Sequence, residues 1–349
     1  MAGGDTLSAP ADVARAPAPR GAAALDGRLH FRPRGALRGA HVQSTLGSLP
    51  PLALLARRRA AALLAAAQPL LLECGQGVRL QAFHSGGGAR RRLAVLLHGW
   101  EGSARSSCVL SLGAALYADG FDVLRLNLRD HGDTQHLNRG IFHCCRLDEV
   151  AGAVRAIAAR FAPEALYLAG FSLGGNFLLR VAAEPSPPAA LRAVVAVSPV
   201  LEPAATLAAL ERGPALYRQT LVRRWSRSLR LKQRAWPGVH DFSALIRLAD
   251  LRAMTAALVR EHTGFAGIDE YLRGYALTGE RLASLPVPCS LLLAEDDPLV
   301  PAADLRRLRR SMHLGIWSSR RGGHCGFIDG WSGSSAAERF VLERFAAAA

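Results

Sequence analysis

Two regimes of polar and apolar positions divide this chain. Between residues 93 and 197, short apolar runs alternate with longer stretches whose apolar residues recur every three or four positions. Segments 93–97, 121–127, 166–169 and 191–197 have the continuous apolar character of strands covered on both faces, and 106–119, 147–161 and 176–181 have helical spacing. Gly120 stops the first of these helices, and Asp148 and Glu149 occupy the first turn of the second, where carboxylates complement the helix dipole. The alternation predicts an α/β fold with a mostly parallel sheet flanked by helices.

The pattern changes on either side. Residues 1–28 are rich in Ala, Pro and Gly and read as a disordered leader, which leaves 29–349 as one domain. Segment 31–51 has turn residues but little periodicity and reads as irregular; a helix is expected over about 52–67. Segments 70–74 and 78–83 flank Gly75-Gln76-Gly77 as the arms of a hairpin, and 85–88 is a glycine loop. From about 199 to 285 strand signals vanish, and Arg- and Leu-rich helical stretches at 204–211, 216–232 and 244–259 take over. This reads as a helical lid inserted between late strands. The sheet resumes at 289–293, followed by a helix at 302–312, a last strand at 314–318 and a closing helix at 336–347.

Half of the 349 residues are apolar, enough for a sizeable core. The net charge of +15 suggests a nucleic-acid surface, but Lys232 is the only lysine among 43 basic residues, and Ala is very abundant. That combination is a mark of codon bias in a GC-rich genome. The clusters Arg57-Arg58-Arg59, Arg90-Arg91-Arg92 and 306–310 are not interleaved with stacking aromatics, so nucleic acid is set aside as a partner. What survives is a surface that favours anionic membranes or acidic substrates, and hence a peripheral membrane contact. The six cysteines have no framework spacing, and free thiols suit a reducing cytoplasm. No secretory segment is visible, and the most apolar stretch, 52–72, is interrupted by Arg57-Arg58-Arg59 and Pro69. It reads as a helix packed on the domain in preference to an interfacial one.

Candidate chemistry centres on Gly170-Phe171-Ser172-Leu173-Gly174, between an apolar strand and a helix. Strand, Gly-x-Ser-x-Gly and helix in that order define a nucleophile elbow: glycines two residues either side of the serine let the helix pack under the strand, and the hydroxyl projects from the sheet end. Serine needs a base, and the base an orienting acid. After the strand at 289–293 comes Glu295-Asp296-Asp297-Pro298, with Asp297 the first choice of acid and Asp296 and Glu295 the alternatives. After the last strand comes Gly322-Gly323-His324-Cys325-Gly326, whose glycines would let His324 swing between acid and serine. Oxyanion donors are expected from the backbone N–H groups of Leu173 and of Trp100, in His98-Gly99-Trp100. The Trp100 and Phe171 side chains are candidates to line the substrate pocket. His98 reads as structural in preference to catalytic, and Cys325 as a packing residue. Arg129-Asp130-His131-Gly132-Asp133 with His136 reads as a hydrogen-bonded loop bordering the site in preference to a metal site. The chemistry calls for no cofactor and no metal.

Several blocks together resemble the YheT-like branch of the α/β-hydrolase superfamily: FRPRGALRGAHVQST from Phe31, HGWEGS from His98, LNLRDHGDTQHLNRGIFHCC from Leu126, GFSLGGN, HTGFAGIDEYLR from His262, AEDDPLVP and GGHCGF. The resemblance runs from about residue 31 to the C-terminus. It implies an α/β-hydrolase fold and a triad of Ser172, Asp297 and His324. It also implies cleavage of a small-molecule carboxylic ester, of lipid-like character given the animal relatives. Trp100 departs from the smaller aliphatic residue common in relatives, which narrows the expected acyl pocket. The alternatives are an acyltransferase using the same triad and a non-catalytic binding protein that keeps the fold.

Overall fold

The apolar runs assemble into a single sheet. The computed structural model describes residues 26–86, 92–331 and 333–349. The expected leader therefore lies outside the described residues up to position 25, as do Gly87 and Gly88 of the glycine loop. The chain runs through β1 (Gly27–Arg28), α1 (Ala40–Leu46), α2 (Pro50–Arg59), α3 (Ala61–Ala65), β2 (Ala67–Glu73), β3 (Arg79–Ser85) and β4 (Arg92–Leu97). It continues with α4 (Ser107–Ala118), β5 (Asp122–Leu126), α5 (Leu147–Phe161), β6 (Ala165–Phe171), α6 (Leu173–Ala182) and β7 (Leu191–Val197). Helices α7 (Pro203–Arg212), α8 (Ala215–Ala235), α9 (Ser243–Arg247), α10 (Leu251–His262) and α11 (Ile268–Gly274) follow, then β8 (Cys289–Ala294), β9 (Leu314–Ser319) and α12 (Ala336–Ala346). The sheet order is β1-β9-β8-β7-β6-β4-β5-β3-β2. The β2–β3 and β3–β5 pairs are antiparallel, and the other pairs are parallel.

Alternation along each strand divides the core between two faces. From β4, Leu93, Val95 and Leu97 join Val150, Val154 and Ile157 of α5 and Leu178 of α6, whereas Ala94 and Leu96 join Val109, Leu112 and Leu116 of α4 and Phe340 and Phe345 of α12. Both faces are covered, which is why these strands read as continuous apolar runs. Each fully buried Leu, Val or Phe contributes about 1.5–3 kcal/mol of transfer free energy. Helices α7 to α11 stand between β7 and β8, where the sequence pattern turned helical.

Five expectations need correction. The helical stretch expected over 244–259 is two helices, α9 and α10, interrupted at 248–250, where Ala249 has a φ of 49°. Gly27–Arg28, read as leader, pairs in parallel with Trp317 and Ser318 of β9. Segment 31–51, read as irregular, contains α1; it is stabilised from outside, because the buried Gln43 side chain donates to the carbonyls of Leu37 and Ile328 and accepts from the Ile328 N–H. The single helix expected over 52–67 is two helices broken at Ala60, and β2 begins at Ala67. The helix expected over 302–312 is only a 3-10 turn at Ala302–Arg307; Leu308 then extends (φ −77°, ψ 132°) to bridge Gly279, and Arg309 N–H donates to the Gly279 carbonyl. Pairing with a remote segment outweighs local helical spacing there.

The β6–α6 junction is tightly packed on backbone atoms. A Cβ built on Gly174 would lie 2.4 Å from the His98 carbonyl oxygen and 2.5 Å from that of Leu97; on Gly170 it would lie 2.6 Å from the Gly174 carbonyl carbon. These obstacles are backbone and cannot rotate away. Gly174→Ala is therefore expected to destabilise the protein by about 2–3 kcal/mol, measured by urea unfolding. Gly264→Ala, whose Cβ meets nothing within 4 Å, should leave the midpoint unchanged.

Candidate active site

The C-terminal ends of β4, β6, β8 and β9 deliver the residues singled out in the sequence to one edge of the sheet. Ser172 follows β6 and caps α6 with φ 52° and ψ −121°, a conformation that L-residues rarely adopt. Its hydroxyl donates to His324 Nε2 at 2.9 Å, and His324 Nδ1–H donates to Asp297 Oδ2 at 2.9 Å. The Asp297 side chain is fully enclosed, and its Oδ1 accepts from the N–H groups of Leu299 (2.8 Å) and Val300 (3.0 Å). The three consecutive acids thus have three different partners. Glu295 pairs with Arg28 at 2.7 Å, Asp296 accepts from Gly323 N–H at 2.9 Å, and Asp297 meets the imidazole.

Burial disfavours the charged form of His324, but the neighbouring Asp297 carboxylate, with a smaller contribution from Cys325, outweighs it and holds the imidazole well above its ordinary 6.5. An imidazole so placed can take a proton from the serine hydroxyl while the carboxylate stabilises the resulting imidazolium.

Two loops complete the edge. Gly99 backs onto the serine, its Cβ position 3.2 Å from Ser172 Cβ, so Trp100 sits beside the nucleophile. Leu173 is the first residue of α6 and has no carbonyl a turn earlier in the helix to bind, which leaves its N–H at the dipole-positive end. His98 is fully buried; its Nε2 accepts from Leu128 N–H, and its Nδ1–H donates to the Gly99 carbonyl at 2.7 Å. Burial, helped by nearby His131, pushes it down to about 3, so it is a neutral brace for the loop. His131 repeats the arrangement between Glu101 N–H and the Arg129 carbonyl, and burial pushes it down to about 4.

In the polar loop after β5 the side chains of Arg129, Asp130 and His131 are committed to structure, while Asp133 and His136 are exposed. Asp130 Oδ1 accepts from Lys232 Nζ at 2.8 Å, and its Oδ2 accepts from Phe142 N–H at 2.8 Å. Arg129 forks onto Glu149, with Nη2 2.6 Å from Oε1. Among the described residues no group of three or more His, Cys, Asp or Glu is placed to hold a metal ion. Lys232, on α8, is the chain's single lysine, and its ammonium also donates to the carbonyls of Gln135 and Asn138.

Two residues of the FRPRGALRGAHVQST block support the site. Ser44 Oγ accepts from His324 N–H at 2.8 Å while donating to the Ala40 carbonyl. Gln43 ties α1 to Ile328, beyond the histidine loop. The glycines around His324 were expected to permit a loop on which the ring swings between acid and serine. They also let α1 approach: a Cβ on Gly323 would lie 2.4 Å from the Ala40 carbonyl oxygen, and one on Gly326 2.3 Å from that of Gln43. The signal in the sequence was a lone Gln flanked by small residues in HVQST, visible only as part of a block.

Ser172 opens into a cavity of about 360 Å3. Trp100 and Phe171 both line it, together with Leu207, Leu221, Trp225 and Leu258 of the helices between β7 and β8. Trp100 packs edge-on against Trp225, ring centres 5.2 Å apart. The walls are largely apolar, and Arg224 is a charged exception.

Residues 94–330 match the family described as alpha/beta hydrolase fold, and the chain belongs to that family. Solved structures of similar fold include an esterase from Pyrococcus furiosus (14% identity, 80% of this chain and 92% of the other, TM-score 0.51). They also include a bacterial membrane phospholipase A (18% identity, 88% and 93%, TM-score 0.50) and naproxen esterase from Bacillus subtilis (14% identity, 84% and 97%, TM-score 0.50). At these identities the likeness concerns the fold.

Two outcomes follow. By NMR, the His324 imidazole should titrate above 6.5 in the wild type; in Asp297→Asn, which leaves burial with little to oppose it, it should titrate below 6.5. An unchanged midpoint in the variant would mean that Asp297 does not set it. Lys232→Met leaves Asp130 buried without its cation and should cost about 3–5 kcal/mol of stability in thermal or urea unfolding.

Proposed function

We propose that this protein is a serine hydrolase of carboxylic esters, of the YheT-like branch, acting on a lipid-like substrate. The carrying observation is the unbroken hydrogen-bonded chain from the Ser172 hydroxyl through His324 to enclosed Asp297, at the floor of an apolar cavity. In this reading Ser172 attacks the ester carbonyl while His324 accepts its proton. Asp297 orients the imidazole and stabilises its charge. The Trp100 and Leu173 N–H groups receive the oxyanion, and His324 returns the proton to the leaving alcohol. Water, activated by the same imidazole, then releases the acid. Esterases and a phospholipase A among proteins of similar fold are compatible with this chemistry. The six free cysteines accord with a reducing cytoplasm.

Turnover of p-nitrophenyl esters should fall by about 10⁴-fold or more in Ser172→Ala, and a fluorophosphonate should label the wild type at Ser172 but not the variant. The apolar cavity predicts a higher kcat/KM for the octanoate than for the acetate. Because His324 must be neutral to act and its pKa is raised, kcat/KM should climb with pH through a midpoint above 6.5. Undiminished turnover by Ser172→Ala would reject the proposal.

A further inference from the structure

We propose that the outer face of α8 docks this protein onto an anionic membrane surface. Helix α8 reads ALYRQTLVRRWSRSLRLKQRA and contains no Asp or Glu. Arg223, Arg227, Arg230 and Arg234 recur at spacings of four, three and four, which keeps them on one side of the helix. All four are exposed, and among the described residues none has an ion pair. The row spans about 16 Å along the axis. Leu216, 61% exposed, lies two turns before Arg223 on the same side. The opposite side is Leu221, Trp225, Leu229 and Lys232, with Leu221 and Trp225 walling the cavity above Ser172.

One helix therefore presents unpaired cations outward and an apolar cavity wall inward. Charge complementarity selects an anionic partner. The row carries no aromatic residue on which bases could stack, and its exposed neighbour is Leu216. Basic residues together with exposed leucine suit an acidic headgroup layer, each arginine strengthening attachment about fivefold. An acidic bilayer would then lie against the helix that covers the cavity. This deepens the ester-hydrolase reading by naming a surface that holds apolar esters, yet docking is measurable without catalysis.

The test uses Ser172→Ala protein, sedimented with vesicles of phosphatidylglycerol and phosphatidylcholine or of phosphatidylcholine alone, at 0.15 M salt. Binding is expected to the acidic vesicles only and should be lost at 1 M salt. The triple variant Arg223→Gln, Arg227→Gln, Arg230→Gln should bind about 100-fold more weakly. A control removing equal charge from α5 and the start of β7, Arg155→Gln, Arg160→Gln, Arg192→Gln, should lose less than about fivefold. Circular dichroism checks that both triples are folded, and the single Arg227→Gln, expected to lose about fivefold, replaces the first triple if that one is not. No binding to acidic vesicles would overturn the proposal. So would equal loss in both triples, or capture of duplex DNA through this row without vesicle binding. Turnover of soluble p-nitrophenyl acetate by the serine-bearing protein tests the hydrolase reading separately.

Discussion

Everything at the sheet edge is arranged around the backbone of Ser172. At φ 52° and ψ −121° the residue occupies a region that costs about 1–3 kcal/mol and persists only where its surroundings over-determine it. Here they do. Ser172 N–H donates to the Val197 carbonyl of β7, its own carbonyl accepts from Asn176 N–H of α6, and Gly170 and Gly174 bring strand and helix closer than any side chain would allow. Asn176 in turn donates to the Val200 and Tyr275 carbonyls, so the same turn anchors the start and end of the helical segment above it. The hydroxyl is thereby fixed in space, and the loops after β4, β8 and β9 have one point to converge on.

What the sequence made legible was local or rested on long, buried runs. The alternation from β4 to β7, the β2–β3 hairpin and the glycine-framed turn at Ser172 are each written in residues that touch their sequence neighbours. The order of serine, acid and histidine was also readable, because each follows a strand. The choice among Glu295, Asp296 and Asp297 was readable only as a preference. Its physical basis is non-local: Arg28 takes the first, Gly323 N–H the second and the His324 ring the third. Partners more than twenty residues away decide which of three adjacent carboxyls serves the imidazole.

The same reason explains what was misread. Helix α1 is only seven residues long, and Ser44 and Gln43 tie it to the His324 loop through polar atoms, while Val42 and Leu46 pack on Leu37, Leu52 and Ile328. The glycines of that loop suggested freedom when read along the chain. Seen against α1 they also mark close contact, because Ala40 and Gln43 carbonyls occupy the space a Cβ would need. The helix expected over 302–312 failed because Gly279 offers the Arg307 carbonyl and the Arg309 N–H backbone partners that a helix would forgo, bridging at Leu308.

Lys232 shows how composition and geometry speak to each other. In a chain that otherwise uses arginine, a compact ammonium stands where three acceptors, Asp130 Oδ1 and the Gln135 and Asn138 carbonyls, converge on one buried point. Three rotatable N–H groups on one nitrogen match that arrangement, whereas a planar guanidinium spreads its donors over a fork. This contact secures the C-terminal half of α8. Near its other end, Tyr217 reaches α1 through a solvent-exposed hydrogen bond of 2.9 Å to His41, a tilted ring contact with the same residue and a side-chain hydrogen bond with Ser44. Such a bond contributes about 0.5–1.5 kcal/mol, against about 3–5 kcal/mol for breaking a buried ion pair. Any displacement of α8 that admits a bulky ester would therefore part it from α1 first and leave it anchored at Asp130. The opening would form beside Ser44, and hence next to the His324 loop, at the end of the helix where Leu216 is exposed.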